Sequence, residues 1–219
     1  MSFQPHFTIT AALLGRVEGI AALRERIQNA TVQVPWIPAL QKDTRARNTH
    51  SSTAIEGNPL TLVGDEVKVG SPAPDFDLVC FENGGMQHIR KADLAGKPAF
   101  ISVVPSLDTP VCQVQTKKFN ERLAAMGDKI NALTVSLDLP FAMKRFCGAE
   151  SITGMKVGSD YKDREFGKAF GVLIDELKLL ARSVFVLDSK GNVTYAELVK
   201  EVASEPNYDA ALAALQSAG

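Results

Sequence analysis

Apolar residues follow two different rhythms along this chain. In TITAALLGRVEGIAALRERIQNA, residues Leu13, Leu14, Val17, Ile20, Ala21, Leu23 and Ile27 recur near helical spacing, with Arg16, Glu18, Arg24, Glu25 and Arg26 mostly between them. Thr10 is placed to cap that helix, and Pro35 and Pro38 in VPWIP break the chain after it. A second, more polar helix is expected from about Pro38 to His50. Two helices alone do not make a stable core.

From Val63 the pattern changes to strands alternating with helices. DFDLVCF and GMQHIR flank Glu82-Asn83-Gly84-Gly85 and predict a hairpin. PAFISVVP is a short continuous apolar run, the mark of a strand buried on both faces. A helix is expected from Pro110 to about Met126, followed by a second buried strand, INALTVSLD, in a right-handed βαβ unit. LPFAMKRFCGAE predicts a short helix begun by Pro140 and ended by Gly148, and DREFGKAFG another. SVFVLDSKGNVTYAELV predicts two strands joined through Lys190-Gly191-Asn192, and NYDAALAALQSA a terminal helix. Strands with helices on both sides imply an α/β sandwich. The join between the two rhythms, SSTAIEGNPLTLVG, reads both ways: as a helix stopped at Gly57-Asn58-Pro59, or as a hairpin turning at Gly57-Asn58. From Gly57 onward the hairpin is expected, because tertiary packing decides such conflicts and only its core is encoded.

Composition narrows the function classes. The chain has 219 residues, 45% hydrophobic and 22% charged, with net charge −1, so it carries no electrostatic signature of a nucleic-acid or anionic-membrane partner. No apolar run approaches the roughly 20 residues of a membrane span, and the N-terminus lacks a secretory pattern, so a cytoplasmic location is expected. Cys80, Cys112 and Cys147 are too few for a disulfide scaffold, and none forms a C-x-x-C pair, which argues against a thioredoxin-type exchanger or a zinc ribbon. His6, His50 and His88 show no metal-ligand spacing, and no metal is expected.

The chemically informative stretch is VVPSLDTPVCQVQTKKF. A buried strand ends at Pro105, a short loop follows, Thr109 suits a helix cap and Pro110 the first helical position. Cys112 then lies in the first helical turn, where free N–H groups and the positive dipole end favour a thiolate and lower its pKa below about 8.5. The Thr109 hydroxyl is close enough along the chain to bond the sulfur. A packed core cysteine is the competing reading, since free Cys is often buried.

The segment PSLDTPVC resembles the peroxidatic motif of the peroxiredoxins, and its surroundings are similar to their atypical two-cysteine thiol peroxidase subfamily. The likeness runs from about Glu56 to Gly219 through GNPLTLVGDEVKVGSPAPDF, SLDLPFAMKRFCGAE, FGVLIDELKLLARSVFVLD and YAELVKEVASEPNYDAALAAL. It implies a thioredoxin-like sandwich and a thiol-dependent peroxidase acting on hydrogen peroxide and organic hydroperoxides. By that resemblance Cys112 is the peroxidatic cysteine, Thr109 and Pro105 shape the peroxide pocket, Arg182 is the active-site arginine and Cys147 is the resolving cysteine. It further implies an intrachain disulfide recycled by thioredoxin, a homodimer, and no cofactor. Arg182 also reads as a strand-end charge that limits aggregation. Cys147 sits near a helix end whose dipole disfavours a thiolate, and lies 35 positions from Cys112, so a bond between them needs local unfolding if their Cα atoms lie beyond about 7 Å. Cys80 reads as strand filler.

Residues 1–55 resemble the front portion of Fic-family proteins, with STAIEGN, Ser52 to Asn58, similar to their inhibitory helix motif and Glu56 as its obstructing acid. The Fic catalytic His-Pro-Phe and Gly-Asn-Gly-Arg are absent from the sequence, so nucleotidyl transfer is not expected. The chain thus reads as a helical appendage, 1–55, joined to a peroxidase domain, 56–219. The alternative function is a regulatory binding module in which the appendage docks on a partner.

Overall fold

The computed structural model describes residues 61–200 and 204–219. The helices expected before His50, the Thr10 cap and the turn at Gly57-Asn58 lie outside them.

Strands β1 (Leu62–Val63), β2 (Asp77–Glu82) and β3 (Gly85–Arg90) come first. β4 (Ala99–Val103), helix α1 (Pro110–Ala124), β5 (Asn131–Ser136), helix α2 (Pro140–Ala149) and β6 (Lys156–Ser159) follow. The chain continues through α3 (Glu165–Ala169), β7 (Leu173–Ile174), β8 (Leu179–Leu180), β9 (Ser183–Leu187), β10 (Val193–Leu198) and α4 (Tyr208–Ser217). Seven strands form one mixed sheet in the order β10-β9-β4-β5-β6-β2-β3, with β4, β5 and β6 parallel and their flanking pairs antiparallel. A smaller antiparallel sheet joins β1, β7 and β8. Within the described part of the ambiguous join, residues 61–64, Leu62–Val63 pairs with Leu173–Ile174.

Period-two alternation sorts the central strands into two cores. Phe100, Val184 and Val186 pack with Phe119 and Leu123 of α1 and with Ala211 and Leu215 of α4. Ile101, Val103, Phe185 and Leu187 point the other way and pack with Phe166, Phe170 and the small sheet. Every residue of β4 is buried, as its continuous apolar run predicts, and so is every residue of β9. The expected hairpin forms between β2 and β3, with Asn83 and Gly84 both in the left-handed region, at φ 52° and 79°. β2 meets β6 through a single register pair, Val79 with Ser159.

Two expectations need correction. Gly148 does not end α2; the helix runs on through Ala149 and is closed by Glu150. β6 has no counterpart in the sequence reading, which passes from LPFAMKRFCGAE directly to DREFGKAFG. A side chain at Gly158 would come within 2.8 Å of Leu78, so glycine is there to let β6 and β2 approach.

Candidate active site

β4 runs straight into the site. It ends at Val103, and Val104 continues the ladder by donating to the Val135 carbonyl at 3.0 Å. The buried Pro105 then turns the chain away from the sheet. Thr109 is the N-cap of α1 in extended conformation (φ −114°, ψ 145°), and Pro110 opens the helix where its missing N–H costs nothing. Cys112 therefore stands in the first turn, fully buried. Its packing partners are Val104, Leu107 and Met143 of α2.

Thr109 is exposed, and its hydroxyl donates to the Ser106 carbonyl at 3.0 Å. The expected bond from this hydroxyl to the sulfur is therefore replaced by a turn-closing bond within the loop. The sulfur finds its donor elsewhere. Arg182, in the connection between β8 and β9, directs Nη2 to Cys112 Sγ at 3.4 Å. The guanidinium is 1% exposed, which rules out the reading of Arg182 as a surface strand-end charge. Its Nη1 donates to Gln115 Oε1, and Gln115 Nε2 donates in turn to Ser102 Oγ of β4 at 2.9 Å. A chain of buried polar groups thus leads from the strand through the helix to the arginine and the sulfur.

Gln115 and Ser102 escaped the sequence reading, although a signal was present. Cys112, Gln115, Thr116, Phe119 and Leu123 form the buried stripe of α1, so a glutamine occupies an inward position one turn from the cysteine. Ser102 likewise interrupts an otherwise apolar strand. Thr116, on the same stripe, has a buried hydroxyl without a hydrogen-bond partner.

Cys147 lies on α2, half-buried, against the core that contains Phe119, Ile152 and Met155. Phe146 touches both that core and the group around Cys112. The two thiols are free and belong to different packing groups. Burial pushes the Cys147 thiol up to about 11, so it is protonated at neutral pH. Burial also raises Cys80, which packs in the core on the other face of the sheet.

The loop before Cys112 is held by Asp138, just after β5. Asp138 accepts from Ser106 Oγ and from the Leu107 N–H, both at 2.7 Å, and from Ser136 Oγ at 2.8 Å. An open cleft of about 250 Å³ beside this loop is lined by Leu107, Asp108, Asp138, Arg145 and Phe146 among others.

Comparison with known proteins places this arrangement. The Redoxin family model matches residues 68–212. The thiol peroxidase of Bacillus subtilis (strain 168) is 52% identical over 155 residues, which cover 71% of this chain and 90% of that protein. The thiol peroxidase of Halalkalibacterium halodurans is 47% identical over 168 residues, covering 77% and 99%. A crystal structure of a peroxiredoxin-like protein from Aquifex aeolicus superposes with a TM-score of 0.67 at 42% identity, covering 75% of this chain and 95% of that one. The family match falls wholly on the C-terminal part, and the comparisons lend the Fic-like reading of residues 1–55 no support. With a sandwich of this topology, relatives at this identity and a matching family model, the chain belongs to the Redoxin family, among its thiol peroxidases.

Proposed function

We infer that the protein is a peroxidase that reduces peroxide at the expense of thiols. We propose that Cys112 is its nucleophile, Cys147 its resolving thiol, and Arg182 the group that stabilises charge at the reacting sulfur. The observation that carries this assignment is the buried guanidinium N–H at 3.4 Å from Cys112 Sγ. A buried cation needs partners, and here one of them is a sulfur at a helix N-terminus, where the dipole adds to the same field. Positive charge already in place at the start of the reaction serves the anionic sulfur and the oxygen that leaves it without reorganisation.

The cycle balances as follows. The Cys112 thiolate attacks one peroxide oxygen; the S–O bond forms, the O–O bond breaks and the alkoxide or hydroxide leaves with a proton, giving sulfenic acid. Cys147 sulfur then attacks Cys112 sulfur; the S–S bond forms, the S–O bond breaks and water departs. A dithiol of thioredoxin type reduces the disulfide by exchange. The high position of the Cys147 thiol suits this order, since a protonated thiol does not compete for peroxide. Pro105 and Thr109 act by shape: Pro105 turns the chain off the sheet, and Thr109 closes the turn onto the Ser106 carbonyl.

A homodimer fits the surface beside the site. Val114 on α1, and Leu139 and Phe141 at the start of α2, are 41%, 53% and 56% exposed, respectively. A cytoplasmic setting, where thioredoxin-type dithiols are kept reduced, suits the cycle. The resemblance of residues 1–55 to Fic proteins concerns residues outside those described and takes no part in this chemistry.

The test is peroxide consumption with thioredoxin and its reductase. Wild type turns over, Cys112→Ser does not, and mass spectrometry of the oxidised wild type finds a bond between Cys112 and Cys147. A Cys112→Ser protein retaining most of the activity, or a bond to Cys80 in place of Cys147, overturns the assignment.

A further inference from the structure

Both cysteine-bearing helices spring from the neighbourhood of one carboxylate. Asp138 lies two residues before the start of α2, the helix of Cys147. It also accepts hydrogen bonds from Ser106 and Leu107, in the loop that leads into α1 and Cys112. On its own side Asp138 is anchored to the sheet. Ser136 at the end of β5 donates to its carboxylate at 2.8 Å and accepts its backbone N–H at 3.1 Å, while Ser159 at the end of β6 donates to its carbonyl. The anchored half of the contact is thus the carboxylate, and the half free to move is the loop.

We propose that Asp138 is a positioning residue, a latch that holds the loop from Pro105 to Thr109 in the arrangement where peroxide is reduced, and whose release lets Cys112 reach Cys147. This rests on the catalytic reading above. Cys112 is fully buried with Val104, Leu107 and Met143, while Cys147 packs in a different group, so one sulfur must leave its packing before an S–S bond can form. Leu107, which covers the Cys112 side chain, is one of the two residues the carboxylate grips. Releasing Leu107 and Ser106 together frees the segment attached to α1 without disturbing the sheet.

The latch sets a competition. While it is closed, sulfenic acid at Cys112 stays in the pocket where a second peroxide can attack, forming a further S–O bond, breaking the O–O bond and yielding sulfinic acid. Once it is open, Cys147 displaces water from the sulfenic acid instead. Asp138→Asn keeps the volume but turns one acceptor into a donor, and the Leu107 N–H and Ser106 hydroxyl cannot both be satisfied as before. Ser106→Ala removes one grip and leaves the Leu107 bond.

The full-length wild type and both variants, reduced beforehand, are treated with rising hydrogen peroxide. The ratio of sulfinic acid to disulfide at Cys112 is read by mass spectrometry, and the rate of disulfide formation by quenched alkylation. In Asp138→Asn, the peroxide concentration that converts half of Cys112 to sulfinic acid rises at least threefold and disulfide formation speeds up by a similar factor. Ser106→Ala moves both in the same direction by less, and decides the matter alone should Asp138→Asn fail to fold. A ratio unchanged from wild type in the folded variants, or shifted toward sulfinic acid, overturns the latch while leaving the peroxidase assignment standing. A wild type that forms no disulfide between Cys112 and Cys147 overturns both.

Discussion

A guanidinium inside a protein is costly unless its N–H groups are met, and Gln115 and the Cys112 sulfur are among the partners of Arg182. Lysine cannot span the same two partners in a planar fork. Arg182→Lys and Arg182→Met are therefore expected to slow the reaction with peroxide at least tenfold, equal to about 1.4 kcal/mol of barrier, as measured by competition kinetics on the reduced protein. An unchanged rate would remove Arg182 from the chemistry. Cys147 makes a prediction about pH. Its thiol is raised from about 9 to about 11 by burial, so the folded state favours the protonated form. The sign follows: this contribution to stability is fully present below pH 9 and is lost as pH rises toward 11. Denaturant titrations at stepped pH should show wild type losing stability across that window more steeply than Cys147→Ser; parallel curves would mean the thiol is more open to water than its packing implies. Part of this site was legible in the sequence, because Thr109 and Pro110 announce a helix start just ahead of Cys112. Gln115 showed only as a polar residue on the inward stripe of α1; its partner Arg182 lies 67 positions further along the chain.

At the scale of elements, legibility followed length and periodicity. β4, α1, β5 and α4 are long and patterned, and their positions were plain. β6, β7 and β8 were not, being two to four residues each and defined by neighbours distant in sequence. The same dependence gives α4 its stability role. Leu215 is 1% exposed and packs with the inward residues of β4 and β9, so Leu215→Ala should cost about 2–5 kcal/mol in equilibrium unfolding. A loss below 1 kcal/mol would show that α4 is only loosely docked. The hairpin turn is a milder case. Gly84 has φ 79° with open space where a Cβ would stand, so Gly84→Ala should cost about 1–2 kcal/mol from backbone strain alone.

For the molecule as a whole, every site residue and every core residue named here lies between 61 and 219. Deleting residues 1–50 is accordingly expected to leave peroxide turnover and the melting temperature of the remaining protein close to those of the full chain. Collapse of either would show that the N-terminal segment is integrated into the domain, and loss of self-association alone would mark it as an interface. The boundary itself was hard to read, because GNPLTL serves a helix end and a hairpin equally well and only tertiary partners choose between them.

If Cys112 is the nucleophile proposed above, the buried arginine also couples the two half-reactions of the cycle. Arg182 keeps its charge at every stage, whereas the sulfur beside it passes from the reduced state through sulfenic acid to disulfide in the proposed cycle. Each turnover therefore alternates a buried guanidinium that donates to the reduced sulfur with one that has lost that contact. A cation held against the reduced sulfur stabilises the reduced form, as in oxidoreductases of high reduction potential. The field proposed to speed attack on peroxide would thereby also draw electrons back from the reductant, so that a weaker field, such as that left by Arg182→Met, would slow oxidation and make the disulfide harder to reduce at the same time.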